Sequence, residues 1–103
     1  MKFSGFDWDR GNWPKCGKHG VSREEIEEIF EDVPAVMADP HPGESRIRAI
    51  GRTRSGRYVF LVFMLRKAHG GTLIRPISAR YMHSKEIAHY EASSSQKNAF
   101  PPK

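Results

Sequence analysis

The chain has 103 residues, 38% hydrophobic and 11% aromatic side chains, and a formal net charge of +5 at pH 7. These values predict one folded domain and exclude a generally disordered chain. No apolar run approaches the ~18 residues of a membrane span, and the N-terminus lacks the apolar stretch of a secretory signal. Cys16, the single cysteine, has no partner for a disulfide or a cysteine-based metal site. We therefore expect a cytoplasmic protein.

The charges are segregated along the sequence. Ten Lys and Arg residues and no Asp or Glu lie between Ser45 and Lys85, whereas Val21 to Glu44 contain eight acidic residues and one basic residue, Arg23. A concentrated positive field attracts polyanions, of which nucleic-acid backbones are the commonest in cells. The alternative is that these arginines cover the solvated face of an ordinary sheet.

The N-terminal residues predict a strand and a short helix. Phe3, Phe6 and Trp8 alternate with small and acidic residues, which indicates a short strand or an extended entry segment. A helix that begins near Asn12 should end at Gly20, because a glycine commonly terminates a helix in the left-handed conformation.

A second helix is predicted from its cap and its periodicity. Ser22 and Glu25 have the spacing of a capping box, and Pro34 ends the segment. Its predicted apolar face consists of Ile26, Ile29, Phe30 and Val33. Its acidic face consists of Glu24, Glu25, Glu27, Glu28 and Glu31. This acidic face is either simply solvated or keeps RNA oriented towards the basic region by repulsion.

Three strands and a last helix follow a turn-rich loop at Asp39–Gly43. The predicted strands are Arg46–Arg52, Tyr58–Arg66 and Leu73–Tyr81, and the helix runs from His83 or Ser84 towards Ala92. The second of these strands is apolar on both faces, as expected of a central strand. Short connections predict an antiparallel sheet of three or four strands with helices before and after it, an α+β domain over residues 1–92. Residues 93–103 read as a polar, flexible tail.

Two arginines lie at predicted strand ends. Arg66 is at the exit of the central strand, and Arg80 is near the end of the strand that returns beside it. A guanidinium held on a stiff strand suits two-pronged binding of a phosphate. A strict two-residue connection would pair Arg66 with Leu73 and place Arg80 on the opposite face, whereas a one-residue bulge in the glycine-rich loop would bring the arginines to one face. The alternative is that both are solvated strand-end residues.

An ordered set of motifs resembles the BrnT toxin family. The set covers most of the chain, from Trp8 to about Tyr90: Lys18-His19-Gly20-Val21-Ser22 before the acidic helix, Glu44-x-Arg46, Gly51, Ile77-Ser78-Ala79-Arg80 and Glu86-x-x-x-Tyr90. The resemblance implies a compact RelE-like fold and a metal-independent endoribonuclease that inhibits translation as the toxin of a type II toxin–antitoxin system. It also implies neutralisation by a BrnA-type antitoxin with a ribbon-helix-helix DNA-binding region, in a heterotetramer that contacts operator DNA through the antitoxin. No cofactor or metal is expected.

By motif position, the resemblance implies that Arg66 and Arg80 are the essential side chains, with Lys18, His19 and Trp8 as weaker candidates. For RNA contact we expect Lys18 and Trp8, together with the arginines that share one face of the first predicted basic strand: Arg46, Arg48 and Arg52. Two departures from the family pattern leave open an altered target or a weakened toxin. The first is the sequence of the first helix, Gly11-Asn12-Trp13-Pro14-Lys15-Cys16-Gly17, which is less favourable for a helix than the sequence expected of the family. The second is Pro76, which removes a hydrogen-bond donor from the strand ladder and predicts a sheet edge or a bulge there.

RNA is cleaved without metal when its own 2′-hydroxyl attacks the neighbouring phosphate, so the protein must position the backbone, neutralise charge and move protons. His19 is the candidate for proton transfer by residue type; alternatively it caps the first helix. Tyr81 and Tyr90 are expected to pack, and the five histidines lack the spacing of a metal site. Two other functions fit the same sheet: a non-catalytic module that binds RNA or the ribosome, and an interaction domain that receives an acidic antitoxin segment.

Overall fold

A five-stranded mixed sheet organises the computed structural model, which describes residues 3–40, 43 and 45–92. The strands are β1 (Gly5–Phe6), β2 (Ala35–Ala38), β3 (Arg46–Arg52), β4 (Tyr58–Ala68) and β5 (Gly71–Tyr81), and the helices are α1 (Arg23–Glu28) and α2 (Ser84–Ala92). The order across the sheet is β1-β5-β4-β3-β2, with every neighbouring pair antiparallel except β1, which runs parallel to β5. No helix of the described residues is long and apolar enough to cross a membrane.

The α+β class and the three central strands are confirmed. β3 has the predicted bounds, and β4 and β5 each extend two residues further into their shared hairpin. A wholly antiparallel sheet of three or four strands was wrong, because β1 pairs in parallel and β2 adds a fifth strand. Both missed features involve strands of two and four residues, too short to show a periodic pattern. The predicted tail at 93–103, together with His41, Pro42 and Glu44, lies outside the described residues.

The predicted first helix is reduced to a 3₁₀ turn at Lys15–Gly17. Gly11, Pro14 and Gly17 are poor helix formers, and a Cβ on Gly17 would lie 2.6 Å from the Trp13 ring. The segment therefore packs as a series of turns. Gly20 ends it at a φ of 94°, in the predicted left-handed conformation.

The capping box of α1 is confirmed. The Ser22 hydroxyl accepts from the Glu25 N–H at 3.0 Å, and the Glu25 carboxylate accepts from the Ser22 N–H at 3.1 Å. The predicted length was wrong, because α1 ends at Glu28 and the N–H groups of Phe30 and Glu31 bond three residues back in tight turns. Val33 is thereby rotated off the apolar stripe and is 95% exposed.

The two faces of the sheet pack differently. The face under α1, which we call the packed face, contributes Ala49, Val59, Leu61, Phe63, Ile74 and Ala79 to a core shared with Cys16, Val21, Ile26 and Ile29. On this face a Cβ added to Gly51 would lie 2.6 Å from the Cβ of Ile29, so the glycine lets the end of α1 approach β3. The opposite face carries a smaller core of Ile50, Phe60, Val62 and Met82, against which Ile87 and Tyr90 of α2 pack. The predicted packing of Tyr90 is confirmed.

Candidate nucleic-acid interface

Six arginines share the sheet face opposite α1, which we call the arginine face: Arg46, Arg48 and Arg52 of β3, Arg66 of β4, and Arg75 and Arg80 of β5. The assignment follows from pairing, since residues directly opposite each other in a sheet project to the same side. Arg48, for example, lies opposite Val62, and Arg80 lies opposite Phe60. The concentration of positive charge in the sequence thus becomes a concentration on one surface.

A bulge in β5 places Arg66 and Arg80 on this common face. Arg66 lies opposite Leu73, as a strict two-residue connection predicts, but the register shifts where Val62 pairs with Ser78 and Phe63 with Pro76. The extra residue, Ile77, restores Arg80 to the side of Arg66. The bulge predicted at Pro76 is therefore confirmed. The alternative bulge in the glycine-rich loop was wrong, because Ala68 pairs directly with Gly71 across a two-residue connection.

The same pairing separates the two arginines along the sheet. Arg66 is six residues further along β4 than Phe60, the partner of Arg80. At about 3.3 Å per residue, the two positions lie roughly 20 Å apart. Antiparallel strands place the end of one beside the start of the other, so two arginines near their strand ends cannot meet. The structure puts Arg66 and Arg80 on one surface but at opposite ends of it.

Among the described residues, carboxylates pair with Arg48, Arg66, Arg75 and Arg80 of this face. Arg48 pairs with the buried Asp39 at 2.6 Å, and Arg66 donates to Asp7 at 2.8 Å. Arg75 bridges Asp7 and Asp9 at 3.0–3.1 Å. Its hydrogen bond, with that of the Gly11 N–H, lowers the pKa of Asp9. Arg66 nevertheless keeps a 57% exposed side chain. The arginine face is therefore partly neutralised, and its guanidinium groups are held in defined orientations.

Arg80 is the most constrained guanidinium at the α2 end of this face. Its Nη1 and Nη2 donate to the two carboxylate oxygens of Glu86 at 2.8 and 3.0 Å, and its Cζ lies 4.8 Å from the centre of the Phe60 ring. The Arg80 hydrogen bonds lower the pKa of Glu86, which also accepts from the His83 N–H at the start of α2. A bidentate pair uses two of five guanidinium N–H groups and leaves three for a ligand.

A shallow cavity of about 160 Å³ brings Arg80 together with His19. Phe60, Val62, Ser78 and Ala79 complete its lining. His19 is exposed, and the described contacts include no hydrogen bond from its imidazole to a carbonyl of the first turn, as the alternative capping role would require. A cation fixed by a carboxylate and an imidazole beside it can bind a phosphate and exchange a proton with a bound group.

The other predicted contact residues are distributed unequally. Lys18 is exposed next to His19, whereas Trp8 lies against the packed face. The indole N–H of Trp8 donates to Glu27 at 2.9 Å, its ring meets Trp13 edge-on, and Arg23 lies 5.0 Å above it. Arg46 and Arg48 are half-buried, and Arg52 is exposed, 5.0 Å from the Tyr58 ring. Trp8 is thus given a packing role by the structure, and its proposed RNA contact stays a prediction.

The acidic residues of α1 have specific partners. Glu25 accepts from the Tyr81 hydroxyl at 2.6 Å, which raises the pKa of Tyr81, and Glu27 accepts from Trp8. Arg54 donates through its main-chain N–H to Glu28 and makes a bidentate pair with Glu31. These contacts tie α1, and the turn after it that contains Glu31, to β5, to the connection between β3 and β4 and to the N-terminal segment, so the acidic face is not simply solvated. Tyr81 packs in the core of the packed face, as predicted.

Sequence reasoning missed the residues that position the N-terminal segment. Asn12 is buried, donates through its amide to the carbonyls of Asp7 and Pro76 at 2.9 Å, and accepts from the Asp9 N–H. It thereby holds Asp7 and Asp9 beside Arg75 and fixes the segment to the strand bulge. No sequence signal marks it, because an asparagine between a glycine and a tryptophan equally predicts an exposed turn.

In the described ranges, no group of three or more His, Cys, Asp or Glu residues is arranged to hold a metal ion.

The fold and its charged surface define a small α+β domain with a shallow cavity at one end of an arginine-bearing sheet. The family model for BrnT, the ribonuclease toxin of a type II toxin–antitoxin system, matches residues 8–86. The chain therefore belongs to this family, as its motifs indicated, and the family implies an antitoxin partner. No curated protein matches the chain.

Proposed function

We propose that this chain is a metal-independent endoribonuclease whose reaction centre is the Arg80 end of the arginine face. The observation that carries the proposal is the shared cavity, in which a carboxylate-fixed guanidinium and an exposed imidazole border the same space. Ribonuclease toxins need both functions: a cation for the phosphate and a group that transfers protons.

The reaction is a transfer within the RNA itself. The 2′-oxygen forms a bond to the adjacent phosphorus, and the bond from phosphorus to the 5′-oxygen of the next nucleotide breaks, giving a 2′,3′-cyclic phosphate and a 5′-hydroxyl. His19 accepts the proton of the 2′-hydroxyl or donates one to the leaving 5′-oxygen. Arg80 directs its three unused N–H groups at the phosphate oxygens, where negative charge increases in the transition state.

Arg66 takes a different role from Arg80 in this proposal. At roughly 20 Å along the strands it is too far away to contact the same phosphate. Its exposure suits contact with a flanking stretch of the RNA backbone, for which Arg52 and Lys18 are further candidates. Arg66 and Arg80, both predicted to be catalytic, are thus assigned to binding and to reaction respectively.

The wider setting that we propose follows the family. The protein acts in the cytoplasm, has a RelE-like fold, cleaves RNA so that translation stops, and is neutralised by a BrnA-type antitoxin. The antitoxin carries the ribbon-helix-helix region that binds operator DNA, and the complex is a heterotetramer. Support comes from the family match and from the charge of the arginine face.

Cleavage of an end-labelled RNA in EDTA tests the proposal. Wild type should give discrete fragments, whereas Arg80→Ala should lose about 10²–10³-fold in rate, as is typical when one transition-state donor is removed. Arg54→Ala is a matched control, because Arg54 also forms a bidentate pair with a glutamate, at the side of α1. Intact RNA with folded wild type would support a non-catalytic binding module. Equal cleavage by all three proteins would place the reaction elsewhere.

A further inference from the structure

The strand β2 forms the sheet edge farthest from β1 and β5. The main-chain N–H of Asp39 donates to the carbonyl of Arg46, so these two residues form a hydrogen-bonded pair of the ladder between β2 and β3. Pairs of this kind alternate along an antiparallel ladder, which directs the N–H and C=O of Val36 and Ala38 away from β3. The described residues provide no strand on that side.

An apolar cavity of about 180 Å³ adjoins this open edge. Phe3, Phe30, Val33, Pro34 and Val36 supply its apolar lining. Val33 and Val36 are two of the three large exposed hydrophobic residues in the described chain. Because Val36 lies opposite Ala49, it projects to the packed face, towards the same side as the aromatic rings of Phe3 and Phe30. The cavity therefore continues the main core outward past the edge.

The rim of this cavity is acidic. Glu31 and Asp32 line it and are exposed, and they belong to the stretch of eight acids between Val21 and Glu44. Glu31 already forms a bidentate pair with Arg54, so Asp32 is the carboxylate offered to a ligand. A bound segment would meet three features in a fixed order: a main-chain ladder at Val36 and Ala38, an apolar cavity, and carboxylates beside it. Such an edge recognises an extended peptide through its backbone, and the cavities beside it select alternate side chains.

We propose that β2 is the docking edge for an extended segment of the antitoxin. The segment adds a sixth strand, inserts an apolar side chain between Val33 and Val36, and places Lys or Arg next to Asp32. The charge selects this occupant, because an acidic segment suited to the arginine face would be repelled here. The inference rests on the antitoxin partner in the proposed function and not on the cleavage chemistry.

Binding of a purified BrnA-type antitoxin, measured by titration against the purified full-length chain, tests the proposal. Val36→Arg introduces a charge into the cavity, and Ala38→Pro removes an outward N–H without touching the ladder to β3. Each should weaken the complex at least tenfold. Ala88→Arg is the control for added charge: Ala88 is exposed, like Val36, but lies on α2, against the opposite face of the sheet.

The outcomes separate the docking proposal from the others. Wild-type affinity in both Val36→Arg and Ala38→Pro would overturn the docking edge while leaving the antitoxin partner in place. A complex weakened equally by Ala88→Arg would also overturn it. If the chain alone sediments as a dimer that Val36→Arg dissociates, the edge belongs to a second copy and the proposal fails. Absence of any complex with wild type would overturn both the edge and the partner, while RNA cleavage would be unaffected by any of these results.

Discussion

The two faces of the sheet use neighbouring residues of the same strands for different purposes. On β4, Leu61 and Phe63 are fully buried on the packed face, whereas Arg66 emerges on the arginine face. The packed face buries the larger apolar core, whereas the arginine face combines a small core under α2 with ion pairs at Arg48, Arg66, Arg75 and Arg80. Stability is thus concentrated on one side and ligand chemistry on the other, an arrangement that alternation along a strand makes possible.

The largest expected effect is on the packed face. Phe63→Ala should lower the free energy of unfolding by about 3–5 kcal/mol, because it leaves a cavity at a fully buried site in contact with Phe30. Denaturant titration measures this, and the half-exposed Leu65→Ala should change it by less than about 1 kcal/mol. Equal losses of unfolding free energy in the two variants would contradict the deeper burial of Phe63.

The next effect concerns the reaction at the arginine face. His19→Gln should slow RNA cleavage about 10²-fold, since it removes the imidazole that transfers protons, and should leave the unfolding free energy nearly unchanged because the side chain is exposed. Initial rates across a pH series are the measurement. Lys18→Gln, the neighbouring control, should mainly weaken RNA binding. A full-rate His19→Gln protein with an unchanged pH profile would remove the imidazole from the mechanism.

Arg48 is expected to be an exception to the division between a stabilising face and a ligand-binding face. Although it lies on the arginine face, its partner Asp39 has a side chain that is only 2% exposed. Arg48→Ala should therefore lower the unfolding free energy by about 1–3 kcal/mol, because a buried carboxylate loses a charged donor. In a double-mutant cycle with Asp39→Ala, the two effects should be less than additive. Additive effects would show that the pair is not a coupled unit.

A smaller effect sharpens the role of Glu86. Its pKa is lowered mainly by the Arg80 hydrogen bonds, so the pair stabilises the folded state fully above the ordinary value of 4.5 and loses that contribution as the pH falls through the lowered value. Unfolding free energies measured from pH 7 down to acid should therefore fall less steeply for Glu86→Gln than for wild type. Glu24→Gln, on the exposed side of α1, should keep the wild-type slope. Identical slopes for all three proteins would contradict the ion pair.

Much of the fold was predictable from local signals. The capping box at Ser22, the apolar run of β4 and the bounds of β3 each rest on residues that are close in sequence. The length of α1, the pairing of β1 with β5 and the pairing of β2 with β3 were not predictable, because they depend on contacts with distant segments. Gly51, which admits Ile29 at close range, illustrates such a contact.

The candidate site was predictable in its residue types but not in its geometry. The excess of arginine and the motif around His19 and Arg80 indicated phosphate chemistry, and Pro76 indicated a bulge. The register that separates Arg66 from Arg80 appears only when both strands are paired. Asn12 holds Asp7 and Asp9 through hydrogen bonds to near neighbours in sequence, but its bond to the Pro76 carbonyl spans 64 residues and has no local signature.

Arg80 is proposed to stabilise the transition state of cleavage, whereas Arg66 is proposed only to bind the RNA backbone. Single-turnover cleavage of a defined RNA, with Arg80→Ala and Arg66→Ala measured over a range of protein concentrations, tests this difference most directly. Arg66→Ala should reach nearly the wild-type rate at saturating protein and show a smaller dependence of binding on salt, because it removes one phosphate contact. Arg80→Ala should remain about 10²-fold slow or slower at every concentration. The reverse pattern, or a common loss in both that saturation does not relieve, would contradict the account.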